Sequence, residues 1–173
     1  MYKTTKRPSK NKIYTAIEIA RYIINYANEH TLIISNLKLQ KILYFIQLEF
    51  LTEKNAPCFN DNIEAWGFVP VVPTVYKEFK KYGDLNIPKI VHYYDDSNGV
   101  WNVKLIKYRP QINKEDRCII DDVINECDKY STTQLVDITC KQTPWVKAYG
   151  KRDKIIDIHL LNDFINTLLH KNQ

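Results

Sequence analysis

The stretch "NLKLQKILYFIQLEFLTEK", residues 36–54, combines a helical apolar pattern with few polar positions. One stripe recurs at helical spacing and comprises Leu39, Ile42, Leu43, Ile46 and Phe50. Further apolar side chains widen this stripe until little of the circumference is polar. The residue before the pattern, Ser35, is a typical N-cap. Because a helix that is apolar on most of its surface is usually buried, we expect this helix to be central.

The next patterned segment is "IEAWGFVPVVPTVYKEFKKYG", residues 63–83, which we call the junction. Its aromatic and β-branched first half predicts a short strand, and its basic second half predicts an amphipathic helix. Pro70 and Pro73 lack the N–H that a strand ladder needs, so we expect the strand to stop there and the helix to follow. The two prolines would then fix the angle between strand and helix, with Trp66 and Phe68 packed beneath the turn.

The rest of the chain predicts more helices and a hairpin. The segment "IVHYYDDSNGVWNVKLI" (90–106) is typical of a β-hairpin that turns at its Asn-Gly. Helix signals follow from Thr15, Asn113, Ser131, Pro144 and Asp157. The last of these helices would pack an apolar face of Ile158, Leu161, Ile165, Leu168 and Leu169. Together these elements predict an α+β fold: a helix-rich single domain of about six helices with a small antiparallel β-sheet or hairpin.

The net charge of +5 is concentrated at the N-terminus. Residues 1–12 form a basic arm that contains Lys3, Lys6, Arg7, Lys10 and Lys12 and no acid. The domain, residues 13–173, keeps 20 of the 25 basic residues, which balance the 20 acidic ones. Such an arm either contacts the phosphates of a nucleic acid, with DNA as the candidate partner, or is a solvated tail. The sequence shows neither a membrane span nor a secretory signal, so we expect a cytoplasmic protein.

The motifs of the common enzyme and metal sites are missing from the sequence. The four glycines are too far apart for a phosphate-binding loop, and the four cysteines and four histidines lack metal-ligand spacing. We therefore expect no cofactor, no metal and no catalytic residue. Alternatives are a thiol–imidazole pair of Cys140 and His159, and a metal site at the adjacent acids 95–96 or 121–122.

Large aromatic side chains are abundant, and those left exposed would mark a partner site. Trp66 lies among apolar neighbours, which favours a core position. Trp101 and Trp145 have polar neighbours, so we expect them to be more open.

Three segments together resemble the Panacea, or SocA-like, antitoxin domain, which also occurs in phage-associated GepA-like proteins. They are "LKLQKILYFIQ" (37–47), "FNDNIEAWGFVPVVPTVYKEFKKYG" (59–83) and "LVDITCKQTPWVKA" (135–148). The resemblance covers about residues 15–165. It implies a helix-rich fold, a role as the antitoxin of a two-gene system, and no enzymatic activity. The chain has Cys140 where the family commonly shows histidine.

The resemblance and the junction together suggest a partner surface. We expect exposed groups near the junction, namely Lys38, Gln40, Lys41, Tyr76 and Lys77, to bind a cognate toxin around Trp66. Binding would neutralise the toxin stoichiometrically. The alternatives are a nucleic-acid-binding regulator that uses the basic arm, and a phage-encoded inhibitor of a host defence protein.

Overall fold

The computed structural model describes residues 12–67 and 69–171 of the chain. Within those residues lie seven α-helices, where the sequence predicted about six. The helices are α1 (Ala16–Glu29), α2 (Asn36–Lys54), α3 (Pro73–Phe79), α4 (Lys114–Asp128), α5 (Thr132–Cys140), α6 (Thr143–Tyr149) and α7 (Ile158–Lys171). The strands are β1 (Glu64–Trp66), β2 (Val69–Val71), β3 (His92–Asp95) and β4 (Lys104–Lys107), which pair as two antiparallel hairpins. The fold is helix-rich α+β, as predicted.

Capping side chains begin the helices where the sequence predicts them. Thr15 and Glu18 form a reciprocal capping box at the start of α1, and Ser131 and Gln134 form a second one at α5. The side chain of Asn113 accepts the backbone N–H of residue 116 at the start of α4. These local signals alone therefore position three of the helices along the chain.

Helix α2 is the centre of the fold. It packs against α1, α3, α4, α5, α7 and β2. Its predicted apolar stripe is almost completely buried, with every member at most 1% exposed. The expectation of a central helix is confirmed, since most of the helices and β2 pack around it.

Strand pairing continues through Pro70, so the prediction that it stops there is wrong. β1 and β2 pair antiparallel with Ala65 opposite Pro70. The N–H of Ala65 points away from this pair and donates to the carbonyl of Lys154 at 2.8 Å. Since this is a non-hydrogen-bonded position of the ladder, the missing proline N–H costs nothing. Gly67, at φ +42°, begins the turn between the strands; the predicted packing of Phe68 lies outside the described residues.

Of the two tryptophans that were expected to be open, one is exposed and the other is buried. The second hairpin forms, with β3 paired to β4, and Trp101 in its connecting loop is 95% exposed. Trp145, which we also expected to be open, is only 9% exposed. Its helix α6 packs between β1 and α7, so the ring faces inward and stacks on Tyr149 with centroids 4.7 Å apart. Polar sequence neighbours did not reveal this because they occupy the opposite face of a short helix.

A buried carboxylate ties the start of the domain to α2 and α4. Asp116 is 1% exposed and accepts hydrogen bonds from the Tyr14 hydroxyl at 2.6 Å and from the Asn113 side chain at 2.8 Å. It also forms a salt bridge with Lys54 at the end of α2. Three segments that are distant in sequence therefore meet at one group.

Substituting Asp116 by alanine tests this network. Because the change removes the acceptor of several buried donors, we expect the free energy of unfolding to fall by about 2–4 kcal/mol. Urea unfolding measures the loss. The matched control is Asp122→Ala, an exposed carboxylate on the same helix, which should change stability by less than about 0.5 kcal/mol. Equal losses in the two variants would contradict the structural role of Asp116.

Candidate functional site

The polar side chains of α2 hold the backbone of the junction from inside. Gln40 is 1% exposed, and its carbonyl oxygen accepts the N–H of Val72 at 2.8 Å. Its amide donates to the side chain of Asn36 at 3.1 Å. Asn36 in turn donates to the carbonyl of Tyr76 at 3.1 Å. Gln40 and Asn36 are one helical turn apart, so they form a continuous chain of hydrogen bonds along α2.

Lys41 completes this contact from the next position along the helix. Its Nζ donates to the carbonyl oxygen of Pro70 at 2.8 Å. Pro70 turns that carbonyl away from β1, and buried backbone groups need a hydrogen-bond partner. The side chains of α2 therefore satisfy groups that the short hairpin and the two prolines leave unpaired.

Asn36, Gln40 and Lys41 form what we call the inward row of α2, and two further polar residues extend it. Gln47 accepts the N–H of Cys58 at 3.0 Å and donates to the carbonyl of Phe59 at 3.0 Å, which fixes the loop before the junction. The hydroxyl of Tyr44 donates to Gln142 at 2.7 Å, which fixes the start of α6. Sequence analysis did not single out these residues as functional. The sequence does contain a pattern that could have indicated them: Asn36, Gln40, Tyr44 and Gln47 are polar or hydroxyl-bearing residues about one turn apart in an otherwise apolar helix.

Burial contradicts the expected exposure of three predicted partner-binding residues. Gln40 and Lys41 are 1% and 0% exposed, and Lys38 is 9% exposed. Lys38 is held by a salt bridge with Asp128 of α4, with Nζ and Oδ1 2.8 Å apart. The expectation was wrong because residue type alone predicts a solvated side chain, whereas each of these side chains finds a partner within the fold. Gln40 and Lys41 support the junction from beneath, and Lys38 links α2 to α4.

Lys41 has an unusual protonation equilibrium. Burial lowers the pKa of its ammonium group to about 7, while the nearby thiol of Cys140 acts in the opposite direction. A lysine with a pKa near neutrality is a feature of nucleophilic sites. Since no part of Lys41 reaches solvent, no substrate can approach it, and we interpret it as a structural donor.

The outer side of the junction presents the other predicted residues. Trp66 is half-buried and packs edge-on against Tyr76, with ring centroids 5.4 Å apart at 69°. The indole N–H donates to Glu64 at 2.6 Å. Tyr76 is 37% exposed, and Lys77 beside it is exposed. We call the surface of Trp66, Tyr76 and Lys77 the junction face.

The alternative catalytic and metal sites gain no geometric support. Within the described residues, no hydrogen bond joins Cys140 to His159; the Cys140 thiol contacts the carbonyl of residue 137 at 3.5 Å, and His159 is exposed. Asp95 accepts a turn N–H from Ser97, which lowers the pKa of its carboxyl. Asp121 accepts the hydroxyl of a tyrosine on α1 at 2.7 Å. No group of three or more His, Cys, Asp or Glu side chains in residues 12–67 and 69–171 is arranged to hold a metal ion.

The basic arm is mostly outside the described residues, and this applies to Lys3, Lys6, Arg7 and Lys10. Lys12 is exposed, and its Nζ donates to the carbonyl of Gln111 at 2.6 Å. Among the helices of the described part of the chain, none is long and apolar enough to cross a membrane.

The pKa of Lys41 leads to a pH-dependent stability. The folded pKa is about 7, and that of an unfolded lysine is about 10.4. The unfolded state therefore binds more protons between these values, so stability rises with pH in this window. From about pH 7 to pH 8.5, the free energy of unfolding should rise by about 1–2 kcal/mol more in the wild type than in Lys41→Met.

Urea unfolding at both pH values measures this difference. The matched control is Lys77→Met, which removes an exposed amine from the same junction and should retain the wild-type slope. Parallel pH profiles for the wild type and Lys41→Met would contradict a lowered pKa of Lys41 in the folded state.

Comparison with known proteins identifies the family. Residues 39–146, more than half of the chain, match the model described as "Antitoxin SocA-like, Panacea domain". This match begins in α2, includes both hairpins and ends in α6. No solved structure matches the chain significantly.

A curated relative agrees with this match. The protein named "Antitoxin SocA" from Caulobacter vibrioides (strain NA1000 / CB15N) is 31% identical over 128 residues, which cover 73% of this chain and 66% of the relative. The aligned part of the chain thus spans about two thirds of the length of that relative. The chain belongs to the family of SocA-like antitoxins that carry the Panacea domain.

Proposed function

We propose that this protein is an antitoxin that neutralises a partner toxin in the cytoplasm by direct, stoichiometric binding. Family membership is the observation that carries the proposal, since the matching model and the relative from Caulobacter are both named as antitoxins. The mechanism needs no bond to be made or broken. A surface that covers the toxin's own site is sufficient.

The junction face is the surface that we propose for the toxin. Trp66 and Tyr76 belong to the residue types that dominate binding energy at protein interfaces. Their edge-on contact holds the two rings in one arrangement. The indole N–H of Trp66 is already bonded to Glu64, so the hydroxyl of Tyr76 is the polar tip that would hydrogen-bond to the toxin. Lys77 adds a positive charge at the rim, where it would guide an acidic toxin surface during association.

The inward row of α2 contributes to this binding indirectly. Hydrogen bonds donated by Asn36 and Lys41 and accepted by Gln40 fix the backbone on both sides of Pro73, and the junction face is built on that backbone. A surface that is rigid before binding loses less conformational entropy when the complex forms. In this proposal Gln40 and Lys41 therefore position the toxin-binding groups and do not touch the toxin, whereas Lys38 ties α2 to α4 through Asp128.

Co-expression with the neighbouring open reading frame tests the antitoxin role. We expect the neighbour to arrest growth when it is expressed alone and to permit growth when this chain is co-expressed. Size-exclusion chromatography with light scattering should then show a complex of fixed stoichiometry. A neighbour that is harmless alone, or that is rescued without forming a complex, would overturn the proposal.

Substitutions on the junction face test the surface itself. The double variant Tyr76→Ala and Lys77→Glu should weaken toxin binding by about 10- to 100-fold, because it removes an aromatic anchor and reverses a rim charge. The matched control is Tyr94→Ala with Lys104→Glu, an exposed aromatic and an exposed lysine on the second hairpin. Titration calorimetry measures both, and equal affinity of the two variants would exclude the junction face as the binding surface.

A further inference from the structure

A groove lies between α2, α4, α5 and α7, on residues that the junction face does not use. Its volume is about 730 Å³, which is within the range of pockets that hold bulky apolar groups. Most of its lining is apolar and includes Phe45, Leu48, Ile119 and Phe164. A concave apolar surface between helices is the kind of site that binds the apolar face of an amphipathic helix.

The end of α7 leaves apolar surface of this groove uncovered. Leu161 and Ile165 are buried, as predicted for the apolar face of the last helix. Leu168 and Leu169, predicted to belong to the same face, are 46% and 53% exposed. Ile138 of α5, which also lines the groove, is 38% exposed. Covering these side chains would remove apolar surface from water and so stabilise a complex.

The charged side chains that line the groove are all acidic. Glu49 and Glu53 come from α2, and Asp122 and Glu126 come from α4. Each pair is four residues apart, so the carboxylates repeat about every 6 Å, which is also the repeat of side chains along one face of a partner helix. In the described part of the chain, Glu126 is paired with Lys129, whereas no salt bridge reaches the other three acids.

Glu49 experiences both the partial burial of the groove and the charges of its acidic neighbours. Burial, together with the neighbouring charges of Glu53 and Asp122, raises the pKa of Glu49. Mutual repulsion of this kind is relieved by a cation that approaches the rim. Because the whole chain carries a net charge of +5, attraction of a cationic partner would arise at the groove and not from the molecule as a whole.

We infer that this groove binds an amphipathic helix of a partner protein, with an apolar stripe on the groove floor and Lys or Arg side chains against the four carboxylates. The apolar lining selects the stripe, and the spacing of the acids selects basic residues one turn apart. The inference goes beyond the proposed antitoxin function, since it concerns a second surface and holds for any partner with this pattern.

Two designed peptides of equal length test the inference on the full chain. Both carry the same leucine stripe at helical spacing; one has lysines on both sides of the stripe and the other has glutamates. In titration calorimetry we expect the lysine peptide to bind and to weaken as salt is raised, and the glutamate peptide to bind at least about tenfold more weakly. Equal binding of the two peptides would overturn the inference.

Variants of the groove assign the binding to this surface. Glu49→Lys with Asp122→Lys should weaken the lysine peptide by about tenfold or more. The control pair, Glu78→Lys with Asp84→Lys, changes the net charge equally at exposed acids outside the groove and should alter the affinity less than about twofold. If the control pair weakens binding as much as the groove pair, the attraction is not local and the inference fails.

The apolar part of the site is tested separately. Leu168→Ser with Leu169→Ser alters two exposed side chains, so the fold should be retained, as thermal unfolding followed by circular dichroism will check. Binding of the lysine peptide should weaken about tenfold, whereas Val100→Ser on the exposed hairpin loop should leave it unchanged. Self-association of the wild type that Leu168→Ser and Leu169→Ser abolish would instead identify a second copy as the occupant and overturn the inference.

Discussion

The structure depends on hydrogen bonds between side chains of α2 and backbone groups of the junction that have no partner within the junction itself. β2 is three residues long, and the prolines at 70 and 73 remove two donors from a buried segment. The carbonyl of Pro70 and the N–H of Val72 then have no partner in the β1–β2 ladder, and an unpaired buried group costs about 1–3 kcal/mol. Side chains of α2 supply both partners. This requirement fixes the position of the junction along the central helix.

The same requirement explains why lysine and glutamine side chains of α2 can be buried. Apolar contacts are not directional, so an apolar stripe alone would allow the helix to rotate about its axis or shift along it relative to its neighbours. Here three polar side chains of α2 each bond to a different backbone group of the junction: Asn36 to residue 76, Gln40 to residue 72 and Lys41 to residue 70. A shift of one turn would leave several of these groups unpaired at once. The hydrogen bonds thus specify the arrangement, and the apolar contacts provide the bulk of the stabilisation.

Sequence reasoning predicted the parts that local chemistry determines. The capping boxes at Thr15 and Ser131, the central position of α2 and the hairpin of β3 and β4 follow from spacing and turn residues, and all are confirmed. The exposure of Gln40 and Lys41 was predicted wrongly, because their burial depends on backbone acceptors that lie about 30 residues away in sequence. The acidic groove was equally hidden, since its residues come from four separate helices. Family membership, which the three quoted segments indicated, is confirmed by the match over residues 39–146.

Amide hydrogen exchange at Val72 tests the central claim most directly. In the wild type this N–H is buried and bonded to Gln40, so it should exchange slowly. In a Gln40→Met variant, which keeps the volume and removes the acceptor, we expect the Val72 amide to exchange at least about tenfold faster, while amides in the middle of α4 remain unchanged. Unchanged protection of Val72 in this variant would contradict the account, because the junction would then be held by packing alone.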